Sequence, residues 1–308
     1  MNTQSQAVPE SARESQEMTP PFISATRRLY WSVRRELWEN RSIYIAPLAV
    51  AVLFLFGFMI SVMRLPGKMR SAGALSPMQQ MELSEQPFAL VALLLMGTTF
   101  IVSIFYCLDA LYGERRDRSI LFWKSLPVSD LTTVLSKASI PLVILPLLTF
   151  AITLVTQLIM MLINSAVLLG SGLSVTAFWN HLSFFQMSAI LLNHLVGVHA
   201  LWYAPIYGWM LLVSAWARRA PFLWATLPLF AIGILEKITF NTSYFAAMVG
   251  ARFGPGEDNG SKAMSMWAML GQLGPEKLLS SPGMWIGLGV TAIFLAGAVL
   301  LRRSREPL

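Results

Sequence analysis

Six long apolar stretches, separated by polar connections, dominate the chain. Their approximate bounds are 43–62, 88–108, 138–163, 190–216, 222–249 and 285–301. A helix needs about twenty predominantly apolar residues to cross the hydrocarbon core of a bilayer, and the first four stretches contain no Asp, Glu, Lys or Arg. The pattern therefore predicts an all-α membrane protein with six transmembrane helices.

The fifth stretch is irregular. Glu236 and Lys237 interrupt it before it is long enough to span, and a second apolar piece follows at 238–250. This predicts a broken or re-entrant segment before the last span, and non-helical backbone at membrane depth must be buried in protein or line a wet cavity. Neighbouring residues do not face each other on a helix. Glu236 and Lys237 therefore either mark a substrate pathway or lie at the outer headgroup level.

The residues ahead of the first stretch fall into two parts. Residues 1–21 are rich in Ser, Gln, Glu and Pro, which predicts a disordered tail. From 24 to 40 apolar residues recur at helical spacing, as at Leu29, Val33 and Leu37, with basic and aromatic residues beside them. Such a pattern is typical of an amphipathic helix in the membrane interface, and a solvated helix is the alternative. Residues 22–308 are expected to form a single membrane domain.

Composition supports the same class. The 308 residues are 55% hydrophobic and 13% charged, with a mean hydropathy of +0.59, whereas a soluble domain has about 25% charged residues. The single cysteine, Cys107, excludes an intrachain disulfide. No cleavable signal peptide is expected, because the first forty residues lack an apolar core. The glycine-rich residues 254–262 lack the Gly-Lys-Ser/Thr order of a phosphate-binding loop, so no ATP hydrolysis by this chain alone is expected.

The basic residues indicate an orientation. The chain carries 23 Lys and Arg and a net charge of +7. Most of them lie in the N-terminal segment, in the connection between the second and third stretches, at Arg218 and Arg219, and at the C-terminus. The positive-inside tendency places these segments, and both termini, in the cytoplasm. The basic pI therefore indicates membrane topology and not nucleic-acid binding.

Two groups of residues are candidate metal ligands. His194 and His199 are five positions apart, which puts them on different faces of a helix, and the fourth stretch holds no carboxylate. Hydrogen bonding inside a helix bundle is therefore favoured over a metal site. The second group is Met264, Met266 and Met269. An interfacial helix that packs on lipid or on a partner is favoured there, and a Cu(I) site is the less favoured alternative.

The connection at 109–137 is the most densely charged interruption between two apolar stretches. Four consecutive apolar residues, 120–123, lie among the basic residues Arg115, Arg116, Arg118, Lys124 and Lys137. This composition fits a helix lying in the headgroups, and it equally fits a partner-binding helix with an aromatic anchor and an arginine rim. Ser129 or Asp130 is placed to cap the helix that continues into the third span.

This connection resembles the first cytoplasmic loop of ABC-2-type transporter permeases. The matching positions are Glu114, Arg116, Ser119, Leu121, Leu126, Pro127, Val128, Ser129 and Lys137. The layout is also similar to that family, with an amphipathic entry helix, six spans, both termini inside and a re-entrant segment before the last span. The specific motif is confined to the loop, whereas the layout covers nearly the whole chain.

The resemblance implies an export permease in a bacterial cytoplasmic (inner) membrane. Such a permease dimerises with a second permease chain, identical or different, and binds two copies of a cytoplasmic ABC ATPase that holds ATP and Mg²⁺. No catalytic residue, cofactor or metal is then expected in this chain. The resemblance implies ATPase contacts at the loop, namely Glu114, Arg116, Ile120, Phe122 and Trp123. Glu114 would either hold the geometry of the loop or meet a basic residue of the ATPase. It does not imply the substrate.

Two other classes of function remain open from the sequence. One is a membrane-embedded enzyme that uses His194, His199 or Glu236, although no recognisable catalytic set accompanies them. The other is a membrane scaffold or sensor subunit whose basic loop binds lipid headgroups.

Overall fold

The computed structural model describes residues 24–67, 77–120, 122, 128–176, 179, 183–253 and 275–304. These residues form helices and turns and include no strand. The helices before residue 171 are α1 (Ala25–Glu39), α2 (Ser42–Val62), α3 (Pro77–Ala110), α4 (Tyr112–Arg116), α5 (Asp130–Ser139) and α6 (Leu145–Gly170). Those after it are α7 (Phe184–His194), α8 (Ala204–Trp216), α9 (Pro221–Phe240), α10 (Tyr244–Gly250), α11 (Pro275–Ser280) and α12 (Pro282–Ser304).

Within the described residues, six helical segments are long and apolar enough to cross a membrane. They are Ser42–Val62, Ser84–Arg116, Asp130–Gly170, Phe184–Trp202, Pro221–Phe240 and Pro282–Ser304. The all-α class and the six apolar helices are thus confirmed, as expected for a multi-pass membrane protein. The second and third segments are much longer than the predicted 88–108 and 138–163, because these helices continue past the apolar run into polar sequence. The predicted tail, residues 1–21, lies outside the described residues.

The first described helix, α1, corresponds to the amphipathic helix predicted ahead of the first span. Ser24 caps it by accepting a hydrogen bond from the Arg27 N–H at 3.3 Å, which satisfies one of the donors left open at a helix start. Trp31 and Trp38 are exposed, and the Arg34 guanidinium lies 5.1 and 5.7 Å from their ring centroids. The helix predicted over 24–40 is therefore confirmed, and its aromatic and basic edge faces away from the bundle.

Two π-helical segments interrupt the long helices. The first, Ile140–Ile144, joins α5 to α6 and contains Pro141. Proline has no N–H to donate, and its ring clashes with the carbonyl four residues earlier, so a local π-turn accommodates it. The second, Leu195–Trp202, follows α7. At Gly197 an added Cβ would lie 2.6 Å from the Leu278 side chain, so the absence of a side chain lets 275–280 approach closely.

The buried core has two main parts along the bundle. One lies among α2, α3, α6 and α7 and includes Phe58, Phe88 and Met160. The other lies nearer the start of α2 and the end of α3 and includes Tyr207 and Leu211 of α8. A Cβ on either Gly208 of α8 or Gly297 of α12 would lie within 3.4 Å of the facing helix, so α8 and α12 pack closely against each other.

The break in the fifth span lies later than the sequence indicates. Helix α9 continues through Glu236 and Lys237 to Phe240, and Asn241 then ends it with a left-handed φ of 52°. A second short helix, α10, follows at Tyr244. The interruption predicted at the charged pair was therefore misplaced, because Glu236 is hydrogen-bonded to the start of the next helix and Lys237 is exposed. Ala225 is the one residue of α9 that is buried.

Candidate functional site

Charged side chains from distant parts of the chain meet at one end of the bundle. Glu36 of α1, Glu114 of α4, Lys137 of α5 and Arg302 of α12 are all buried there, and we call these four residues the ionic cluster. Glu114 and Arg302 are 188 positions apart in sequence. The cluster therefore holds both ends of the described chain at the same end of the bundle.

Glu114 contacts three cations. Its Oε1 lies 3.1 Å from the Lys137 Nζ and 3.4 Å from an Arg35 guanidinium nitrogen. Its Oε2 accepts a hydrogen bond from Nη1 of Arg302. Both carboxylate oxygens are thus engaged, and the short helix α4 is joined through one side chain to α1, α5 and α12.

Glu36 is the second carboxylate of the cluster, and none of its surface is exposed. Its Oε1 lies 3.0 Å from the Lys137 Nζ and 2.7 Å from an Arg35 guanidinium nitrogen. Its Oε2 accepts a hydrogen bond of 2.8 Å from the Tyr106 hydroxyl near the end of α3. Glu36 therefore joins α1 to α3 as well as to α5.

The four buried groups balance in charge, with two carboxylates facing one ammonium and one guanidinium. Burial alone raises the pKa of Glu36, but the charges of Lys137 and Arg35 outweigh burial and hold that pKa below its ordinary value. Removing one partner of a buried ion pair costs about 3–5 kcal/mol, because the other charge is left uncompensated. The cluster therefore resists separation of the helices that supply it.

Two partly exposed charged residues, Arg35 and Asp130, form the rim of the cluster. Arg35 contacts both Glu36 and Glu114, and it lies 3.7 Å from Glu39 one turn along α1. On the other side, the Arg302 Nε donates a 2.9 Å hydrogen bond to an Asp130 oxygen at the start of α5. Each cation of the cluster therefore meets at least two oxygens, and the geometry of four helix ends is fixed together.

Helix α4 is also tied to the end of α8. The backbone N–H groups of Leu111 and Tyr112 donate to the Ser214 hydroxyl at 3.0 and 2.9 Å. Arg115 donates through Nη2 to the carbonyl oxygens of Ser214, at 3.1 Å, and of Ala217. These bonds satisfy donors at the turn between α3 and α4 and hold Glu114 in place from the opposite side.

The structure divides the predicted ATPase contacts into buried and exposed groups. Glu114 and Ile120 are buried inside the chain. Arg116 is exposed and lies 3.8 Å from Asp109, while Phe122 is 60% exposed. Trp123 lies outside the described residues. Only Glu114 belongs to the ionic cluster, and its contacts are those of a residue that fixes the geometry of the loop.

Glu236 and Lys237 lie far from the cluster in sequence and differ in role. Glu236 accepts hydrogen bonds from the N–H groups of Tyr244 at 2.6 Å and Phe245 at 2.8 Å, and from the Thr242 hydroxyl at 2.8 Å. A carboxylate at a helix start meets donors that no backbone carbonyl can satisfy. Glu236 therefore caps α10, whereas Lys237 is exposed.

The histidine of the second π segment is part of an aromatic group. The Nε2 of His199 lies 3.2 Å from the Tyr207 hydroxyl, and the Phe100 ring packs against both side chains. This agrees with hydrogen bonding inside the bundle. Among the described residues no three His, Cys, Asp or Glu side chains are grouped to hold a metal ion. The methionines at 264, 266 and 269 lie outside the described residues.

Sequence reasoning missed Glu36 and gave Arg302 only a topological role. The signal for Glu36 was present, because it lies seven residues after Leu29 and three after Val33, on the apolar stripe of α1. A carboxylate on an apolar stripe requires a buried partner. No local signal identifies Arg302, because Glu114 and Asp130 are more than 170 residues away from it.

Comparison with protein-family models, with curated proteins and with solved structures finds no match to this chain.

Proposed function

We propose that this chain is the membrane-spanning subunit of an ATP-driven exporter, coupled to a separate cytoplasmic ATPase through residues 109–137. The ionic cluster is the observation that carries this proposal. It joins the segment that resembles the ATPase-binding loop of ABC-2-type permeases to the N-terminal helix α1 and to two of the membrane-crossing segments. A force applied to that segment therefore reaches α1 and both membrane-crossing segments at once.

The outward face of the segment supplies the docking surface in this proposal. Arg116 and Phe122 are exposed, while Ile120 and Glu114 anchor the same segment to the bundle from beneath. An exposed aromatic side chain beside a guanidinium is the composition found at the energetically important positions of protein interfaces. Trp123 is part of the proposed contact through its position in the sequence.

Transmission requires a stiff connection from the docked segment into the membrane. Ser129 caps α5 by accepting a 3.1 Å hydrogen bond from the Thr132 N–H, as predicted. From Asp130 one helical run of 41 residues continues to Gly170 and includes the first π segment, which corresponds to a length of about 60 Å at 1.5 Å per residue. Lys137 lies in this helix, so the ionic cluster is attached directly to a rod that crosses the membrane.

Bending of that rod is proposed to take place at the first π segment. Pro141 lies inside it and Pro146 directly follows it. Both residues remove a helical hydrogen bond, and π-turns with proline are sites where helices kink. The ionic cluster then forms one rigid body with α1, α4 and α5, and the remainder of the third span forms another.

The transport pathway in this proposal lies between two permease chains. The face of α9 is almost wholly uncovered, with Leu227, Phe230 and Ile234 all more than half exposed, which suits contact with a second chain or with lipid. The α9–α10 pair is proposed as the re-entrant segment, with Glu236 holding its turn. The expected location is a bacterial cytoplasmic membrane with both termini inside.

Capture of the tagged chain from native membranes in mild detergent tests the proposal. We expect a co-purifying chain that carries a phosphate-binding loop, in equal number, together with Mg-ATP hydrolysis by the captured complex. Phe122→Ala, or Trp123→Ala, is expected to reduce the amount of that partner severalfold, because an interface aromatic residue contributes about 2 kcal/mol or more.

Phe105→Ala is the matched control. Phe105 is as exposed as Phe122 but lies on α3 within the apolar run, so its truncation is expected to leave the captured partner unchanged. Absence of any ATP-hydrolysing partner would reject the proposed function, and equal loss in both variants would move the contact away from residues 109–137.

A further inference from the structure

A small cavity lies where α8 ends and α9 begins. Its volume is about 240 Å³, and Trp216, Ala217, Arg218 and Trp224 line it. The two indole rings meet edge to face, with their centroids 4.7 Å apart and their planes at 81°. Both rings are partly exposed, at 40% and 46%, so the cavity is open to the outside of the bundle.

The cavity is positively charged. Arg218 lines it, and Arg219, the next residue in the sequence, is exposed. The ion pairs formed among the described residues include neither of these two arginines. Guanidinium groups bind phosphate oxygens through paired N–H donors, so the charge and the donors favour a phosphate group.

The floor of the cavity is fixed by hydrogen bonds. The Ala217 carbonyl accepts from Arg115, and the Ala217 N–H donates to the Val213 carbonyl at 2.7 Å. The Trp209 Nε1 donates at 2.9 Å to the Ala225 carbonyl and ties α9 to α8. The turn that presents the two arginines is therefore held in shape before any ligand arrives.

The surroundings of the cavity are apolar. Phe222 and Leu223, in the first turn of α9, are about half exposed, and Leu227 continues the same apolar surface along the helix. Tryptophan is enriched at the level of the lipid headgroups, where a ring meets apolar chains on one side and polar groups on the other. A ligand here meets a phosphate site and an apolar helix surface together.

We propose that this cavity binds one anionic phospholipid. The phosphodiester group contacts Arg218 and Arg219, the two tryptophan rings flank the glycerol region, and the acyl chains lie along the exposed face of α9. A free phosphate ion would satisfy the arginines but would leave the apolar rim uncovered. The site does not depend on the proposed transport function.

Tryptophan quenching in lipid nanodiscs tests the site. The discs contain phosphatidylcholine and phosphatidylglycerol, with bromine placed on the acyl chains of one lipid or the other. The chain has ten tryptophans. The fluorescence of the two tryptophans at the cavity is therefore obtained as the difference between the parent and the Trp216→Phe/Trp224→Phe variant. We expect brominated phosphatidylglycerol to quench that part more strongly than brominated phosphatidylcholine.

The arginine variants measure the charge contribution. Arg218→Gln and Arg219→Gln are each expected to reduce the preference for phosphatidylglycerol by about fivefold, as for a basic side chain near an anionic surface. Arg218→Lys is expected to retain most of it. Arg41→Gln is the matched control, because Arg41 is exposed at the start of α2 and its loss changes the net charge equally.

Three results would overturn the proposal. Equal quenching by the two brominated lipids would show no headgroup preference at the cavity. An equal loss in Arg41→Gln would show that the preference comes from the overall surface charge. Relief of the quenching by millimolar inorganic phosphate would show a free-anion site. None of these measurements uses ATP or a partner protein, so they succeed or fail independently of the exporter proposal.

Discussion

Neutralising Glu114 with Glu114→Gln tests the ionic cluster directly. The amide keeps the size of the side chain but removes the charge that faces Lys137 and Arg302. Of the two buried cations, Lys137 then keeps only Glu36 as an anionic partner, and Arg302 keeps only the rim residue Asp130. Since loss of one partner from a buried pair costs about 3–5 kcal/mol, most of that cost is expected here.

The expected loss is large compared with the free energy of unfolding of a typical protein, which is about 5–15 kcal/mol. At about 2 °C per kcal/mol for a large chain, the melting temperature is expected to fall by roughly 6–10 °C. Cys107 supplies the assay, because it is the single cysteine of the chain and is fully buried next to Tyr106. A dye that fluoresces on reaction with thiols therefore reports unfolding at this part of the bundle.

Two further variants complete the experiment. Glu39→Gln is the matched control, since Glu39 is an exposed residue of α1 that pairs with Arg35 and exposed pairs contribute only about 0–1 kcal/mol. Glu114→Gln combined with Arg302→Gln removes opposite charges together, and it is expected to be less destabilised than the sum of the single variants. A melting temperature for Glu114→Gln within 2 °C of the parent (about 1 kcal/mol on the same scale) would refute this account of the cluster.

Three other perturbations have defined outcomes. Because the pKa of Glu36 is lower in the folded protein than in the unfolded chain, its contribution to stability is present above the unfolded pKa and is lost as the pH falls through the folded pKa. Acid titration followed by intrinsic fluorescence is expected to show this loss below the ordinary range of glutamate. Gly287→Ala places a Cβ 2.8 Å from an Arg252 guanidinium nitrogen. Because that guanidinium is hydrogen-bonded to the Trp202 and Gly283 carbonyls and cannot move without breaking those bonds, we expect a loss of about 1–3 kcal/mol in thermal unfolding. Glu236→Gln weakens the cap of α10, and faster amide exchange at Tyr244 and Phe245 is expected by mass spectrometry.

Matched variants accompany these three. Glu36→Gln is expected to show a smaller acid-side loss of stability than the parent. Gly289→Ala meets nothing within 4 Å, so it is expected to be neutral or slightly stabilising in a helix interior. Lys237→Met changes an exposed neighbour of Glu236 and is expected to leave exchange in α10 unchanged. A matching response in any control would contradict the corresponding assignment.

The sequence predicted local structure well wherever one segment determines it. The apolar runs locate the six long helices, and the pattern from 24 to 40 locates α1. Ser129 was one of two candidate caps, with Asp130, because both residue types favour helix starts. These features depend on neighbours within a few residues.

The tertiary pairing could not be predicted in the same way. The partners Glu114 and Arg302 are 188 positions apart, and nothing in either local sequence selects the other. Helix α9 continues past Glu236 because that carboxylate is satisfied by backbone donors of the next helix, which a count of charges cannot show. Long-range contacts therefore decided both features.

Hydrogen–deuterium exchange in the captured complex tests the central claim most directly. With Mg-ATP added, exchange is predicted to change together in α1 and α5, because Glu36, Glu114 and Lys137 join them to the docked segment. In Glu114→Gln, ATP hydrolysis is predicted to continue while the joint change disappears. Exchange in α1 and α5 that does not respond to Mg-ATP, or that responds equally in parent and variant, would contradict coupling through the ionic cluster.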